Sequence, residues 1–140
     1  MDAYTCGIIE KRARFVPAKW VDGSPVYGVL RADIVWGSIF SGIDLDPDFP
    51  PDMYISVNRL PKGARKRVTV NLMIAVDDTG HLHGCGQAPS VWKHEKTFPE
   101  LIPMACEQLM KQFVAVPARD ASGKPVRSVQ SASVDFNPAN

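Results

Sequence analysis

Two stretches of this chain repeat one another at a fixed offset of 100 residues. Residues 5–36 read TCGIIEKRARFVPAKWVDGSPVYGVLRADIVW, and residues 105–136 read ACEQLMKQFVAVPARDASGKPVRSVQSASVDF. They align without a gap. Cys6 meets Cys106, Lys11 meets Lys111, and Val16-Pro17-Ala18 meets Val116-Pro117-Ala118. Gly23, Pro25 and Val26 meet Gly123, Pro125 and Val126, and Trp36 ends the first copy where Phe136 ends the second. A repeat constrains the fold strongly, because each copy is one supersecondary unit and both must solve the same local problem.

Each copy reads as helix, break, turn and strand. In the second copy Leu101, Ala105, Leu109 and Phe113 recur every four residues, flanked by Ile102, Cys106 and Met110, which makes one apolar helix face. Pro99 and Pro103 fit only the first turn of that helix. Pro117 ends it, lacking an N–H to donate and holding Val116 in extended angles. Residues 119–123 (RDASG) are turn chemistry, and residues 126–136 favour strand. The first copy follows the same order: helix over 3–13, break at Pro17, turn at Asp22-Gly23, strand over 26–36.

Only the second copy has a front half. Residues 67–76 (RVTVNLMIAV) are rich in β-branched residues, Asp77-Asp78-Thr79-Gly80 follows, and residues 81–88 form a second strand. Strand, Asp-x-x-Gly turn and strand signal a hairpin. The second unit is therefore β–β–α–β, and the first is expected to be cut short to α–β. Between them, residues 42–52 are rich in Pro and Asp and read as loop. Residues 53–60 have room for one short strand, and residues 62–67 form a basic loop. The expected division is a partial repeat over 1–36, a linker over 37–66, a complete unit over 67–136 and a tail over 137–140.

Composition narrows the function classes. Across 140 residues, 45% hydrophobic content is too high for a disordered chain, and the length is one ordinary domain. The formal charge of +1 argues against a general electrostatic grip on nucleic acid. No apolar run approaches the ~20 residues that span a bilayer. No basic segment followed by an apolar one opens the sequence. Three cysteines cannot all pair within one chain.

The second unit resembles the C-terminal domain of TonB-type energy transducers. The matching residues are the strand ending Ala75-Val76-Asp77, the Gly80 turn, Cys85, the helix carrying Cys106, Pro117-Ala118 with Gly123-Lys124-Pro125-Val126, and a last strand closing at Phe136. The resemblance covers residues 67–136. The first copy looks like the back half of a second such unit, as in family members with cysteine pairs and tandem repeats. Two departures stand out. Pro89-Ser90-Val91-Trp92-Lys93-His94 replaces the family's Ser-Ser-Gly-like turn, and neither the family's N-terminal anchor nor its Pro-rich spacer is seen.

The resemblance implies a periplasmic module that captures an extended segment of an outer-membrane receptor by strand addition, with no cofactor. Unpaired backbone groups on an edge strand supply affinity, and alternate side chains supply selectivity. The expected edge is residues 126–136, with Arg127, Ser128, Val129, Gln130, Ser131 and Ser133 as contact residues. The competing expectation pairs this strand with residues 26–36 in one continuous sheet. The resemblance also implies a disulfide between Cys85 and Cys106, the alternative being two buried thiols. Cys6 matches Cys106, but the strand that would carry its partner is missing. It is expected to stay out of any intrachain disulfide or to bridge two chains.

Other motifs are weaker. His81, His83 and Cys85 would share one face of a regular strand and could bind zinc with His94, but Gly84 and Gly86 suggest a bulge that breaks the face. Asp44, Asp46 and Asp48 open like a calcium loop, yet Phe49 and Ile55 stand where Gly and Glu are required. Lys62, Arg65, Lys66 and Arg67 read as a solvated basic loop, with an anionic surface as the alternative. Trp20, Trp36 and Trp92 read as packing residues, Trp92 also as a contact. No nucleophile elbow, Walker loop or dinucleotide fingerprint is present, so no enzyme is expected. The expected fold is α+β, an antiparallel sheet of three or more strands with helices on one face. A self-associating assembly module, joined through the incomplete first unit, is the alternative to receptor docking; a metal-binding or redox protein using Cys85 and Cys106 is a third.

Overall fold

A computed structural model describes residues 3–29, 50–89 and 96–139. Among the described residues the fold is mixed α+β, a curled and mostly antiparallel sheet with two α-helices. The core lies between the sheet and one helix. Strand β4 (Val68–Val76) buries Val68, Val70, Leu72, Ile74 and Val76, every second residue. Strand β8 (Ser128–Pro138) buries Ser128, Gln130, Ala132, Val134 and Phe136 in the same rhythm. Period-two alternation sends these side chains to one face, where helix α2 (Ile102–Gln112) covers them with Ala105 and Leu109. Leu101 joins the core from a 3-10 turn over Pro99–Leu101, so both prolines sit at the helix start, where no N–H is required of them.

β4 continues into β5 (Leu82–Gln87) through the Asp77–Gly80 turn, as an antiparallel hairpin. Gly80 holds φ +93°, a left-handed conformation open to glycine, and a Cβ there would collide with the Ala115 carbonyl. The Ala115 N–H donates to the Gly80 carbonyl at 2.9 Å, so this turn is pinned against the chain leaving α2.

The two repeat copies take the same local shape. Helix α1 (Ala3–Arg12) is followed by β1 (Ala18–Lys19) and β2 (Pro25–Val29); α2 is followed by β6 (Ala118–Arg119) and β7 (Pro125–Val126). Ala18 pairs with Val26 and Lys19 with Pro25, and Ala118 pairs with Val126 and Arg119 with Pro125. The Gly23 N–H donates to Trp20 and the Gly123 N–H to Asp120, both at 2.9 Å, with φ of 85° and 82°. The Trp20 N–H donates to the Ser24 carbonyl at 2.8 Å and the Asp120 N–H to Lys124 at 3.0 Å. The copies differ in burial: α2 buries Ala105 and Leu109, whereas Thr5 is the buried residue of α1. The β4–β5 hairpin packs beside α2.

Two expectations are corrected here. The sheet is not purely antiparallel: β2 and β3 (Met53–Val57) each run parallel to β8. The last strand is also not an edge. Its order is β1-β2-β8-β4-β5, with β3 beside β8 as well. Its alternate side chains fill the core face, and its backbone groups on the side away from β4 are taken by β2, Asp52 and β3. It also runs to Pro138, two residues past Phe136. The strand expected over 26–36 is described only through Val29; Trp36 lies outside the described residues.

Candidate functional site

The site to be tested is the side of β8 away from β4. On the β4 side the ladder is continuous, from Val68 opposite Phe136 to Val76 opposite Ser128. On the other side two short strands lie end to end. β2 places Tyr27, Gly28 and Val29 opposite Ser128, Val129 and Gln130. β3 places Met53 to Val57 opposite Val134 to Pro138. Asp52 fills the junction: its N–H donates to the Ser133 carbonyl, and its carboxylate accepts from the Ser133 N–H, both at 2.9 Å.

The six expected contact residues therefore have other engagements. Arg127 lies 5.4 Å over the Trp20 ring and reaches the Ser24 hydroxyl at 3.5 Å. Ser128, Val129 and Gln130 face β2 across the ladder, and Ser133 bonds Asp52. Ser131 stands between Gln130 and the Asp52 junction. Ser128 and Gln130 are buried, not exposed: the Gln130 amide donates to the Val116 carbonyl at 2.8 Å and to the Ser128 hydroxyl at 3.1 Å. These bonds satisfy polar groups that would otherwise be costly to bury. Beside them a slot of about 200 Å³ is lined by Val29, Val116, Pro117, Ala118, Gln130 and Ser131.

The two strands on this side are held differently. Met53, Ile55 and Val57 of β3 pack against the core. β2 contributes nothing to it, and Tyr27 and Val29 remain 55% and 37% exposed. Its hairpin is anchored at the turn. Trp20 packs on His83 at 5.6 Å between ring centroids, and Val21 lies over Gly84, where a Cβ would come within 2.8 Å. Ala75, buried on the sheet face opposite α2, neighbours the same glycine.

A second cluster surrounds Asp77. Its Oδ1 accepts from the Thr79 N–H at 2.9 Å, the Thr79 hydroxyl at 2.6 Å and the His81 N–H at 3.0 Å; its Oδ2 lies 2.7 Å from His83 Nε2. These bonds, from Thr79 first and His83 second, hold its carboxyl well below the usual range. The proposed zinc face is not assembled. β5 bulges where the ladder passes from Ala75–Gly84 to Val76–Leu82, leaving His83 as the extra residue. His81 lies 2.7 Å from the Thr79 hydroxyl, His83 pairs with Asp77, and Cys85 is disulfide-bonded. His94, Trp92, Asp44, Asp46 and Asp48 lie outside the described residues.

Cys85 and Cys106 form a disulfide with Cα atoms 5.6 Å apart, joining β5 to α2. Cys6 is on the exposed side of α1. Sequence reasoning read Trp20 as a packing residue without its partners, and missed Asp52 and Asp77 as organising residues. Asp77 could have been found from Asp-x-Thr-Gly, whose carboxylate is placed to accept from the N–H two residues on. Comparison with family models, curated proteins and solved structures finds no match for the chain.

Proposed function

We propose that the chain is a TonB-like periplasmic binding module, which docks to a segment of an outer-membrane receptor by strand addition and serves energy-coupled transport. One observation carries this reading. Away from β4, β8 accepts two short extended segments, both parallel to it, through backbone bonds. An incoming receptor segment makes the same kind of bond by taking the place of one of these short strands, with the slot beside Gln130 taking one of its side chains. β4 and β5 precede α2, and β8 follows it after the short β6 and β7, an order compatible with the resemblance; the Cys85–Cys106 disulfide suits an oxidising compartment.

The reading is tested with synthetic segments of about eight residues from the N-termini of outer-membrane receptors in the source cell. They are titrated into isotope-labelled protein. Saturable amide shifts concentrated at residues 127–133 support it. Shifts elsewhere, or none at millimolar peptide, overturn it. Concentration-dependent sedimentation with no peptide response favours self-association instead.

A further inference from the structure

Resting on that reading, we propose that β2 is an exchangeable occupant of the docking side of β8: the first repeat copy holds the place that a docking segment takes. Three observations carry this. First, β2 lies parallel on β8 in the kind of backbone pairing that strand addition uses, opposite Ser128, Val129 and Gln130. Second, it is the lightly held member of the pair of strands there. β3 sends Met53, Ile55 and Val57 into the core, but β2 presents exposed Tyr27, a glycine and half-exposed Val29. Strands with few buried apolar contacts open at lower free energy than core strands. Third, Val29 forms a wall of the slot beside Gln130 and Ser131, so departure of β2 widens the slot where a new side chain would enter.

The hairpin turn supplies the latch. Trp20 contacts both the Arg127 guanidinium and the His83 ring, and Val21 rests over Gly84. An arriving segment replaces the β2 ladder bonds one for one, so its net gain comes from its side chains. Docking is then a competition within one protein, weaker than docking to an open strand by the factor that keeps β2 in place.

The test uses the full chain and a fluorescent peptide of residues 24–33 (SPVYGVLRAD) as probe. Tyr27→Pro removes an N–H that β2 directs at β8 and leaves the β3, β4, β5 and β8 sheet intact. The expected result is at least tenfold tighter binding of the peptide by Tyr27→Pro than by the unmodified chain, with amide shifts at residues 127–131. Equal binding, or no binding by a Tyr27→Pro protein that keeps its disulfide and far-ultraviolet spectrum, overturns the exchange. If Tyr27→Pro does not fold, Trp20→Ala, which releases the latch, is held to the same criterion. Receptor segments separate the two ideas. If they bind both forms equally, docking stands and the placeholder falls. If the probe binds the variant tenfold tighter while receptor segments bind neither form, the placeholder stands and receptor docking falls.

Discussion

Trp20 of the first repeat copy packs on His83 of β5, with ring centroids 5.6 Å apart. The two residues belong to opposite ends of the strand order, so their contact draws the sheet into its curl. Arg127 lies over the same indole at 5.4 Å. Trp20→Ala is expected to cost about 1–2 kcal/mol, the sum of an aromatic contact and a partly exposed cation–π contact. Hydrogen exchange checks the locality of the effect: protection should fall across residues 18–29 and be unchanged in β4.

The disulfide closes a span of 21 residues between β5 and α2. Replacing both Cys85 and Cys106 by Ala should lower stability by about 3 kcal/mol, mostly through a less constrained unfolded chain. Urea denaturation measures this as a lower midpoint, with a larger m-value if the reduced constraint expands the unfolded state.

Phe136 is fully buried near the C-terminal end of β8, and Leu109 is fully buried in the helix layer of the same core. Phe136→Ala should cost about 3–5 kcal/mol and Leu109→Ala about 2–5 kcal/mol. Val116→Ala, at a site 81% exposed, should change thermal stability by less than about 0.5 kcal/mol.

Gly80 and Gly123 both hold positive φ, at 93° and 82°, but their surroundings differ. A Cβ at Gly123 meets nothing within 4 Å, whereas one at Gly80 meets the Ala115 carbonyl. Gly123→Ala should therefore cost about 1 kcal/mol from backbone strain alone. Gly80→Ala should cost about 2–4 kcal/mol, because it also displaces the bonded segment after α2. Equal losses in thermal melts of the two variants would contradict this difference.

Asp77, Asp22 and Asp120 all have carboxyls held below their ordinary value of 3.8, through bonds led by Thr79, Ser24 and Ser122 respectively. A carboxyl depressed on folding stabilises the native state above its unfolded pKa, and the gain is lost as pH falls through the folded value. Stability should thus decline as pH drops below about 4. Asp77→Asn, which has no carboxyl to protonate, should show a shallower decline between pH 4 and pH 2 in urea titrations. A slope equal to that of the unmodified chain would remove Asp77 from the effect.

The repeat, the helix starts, the two Gly-centred turns and the β4–β5 hairpin were legible in the sequence because each depends on neighbours a few residues apart. Proline cannot donate a bond at Pro103 or Pro117, and Gly23, Gly80 and Gly123 hold angles that other residues resist. β-branched content marked residues 67–76 as strand, while the period-two burial of Val70, Leu72 and Ile74 was seen in the structure. The Cys85–Cys106 pairing came from family resemblance. What only the tertiary structure decided was which strand sits beside which. Alternation identifies the face a strand buries but carries no information about its ladder partners, since backbone groups are alike at every residue. The polar run of β8 suggested an edge, yet Ser128 and Gln130 are buried and bonded, with β2 and β3 alongside. Long-range closure likewise set Trp20 on His83 and Asp52 on Ser133, because contacts across 63 and 81 residues depend on the completed fold.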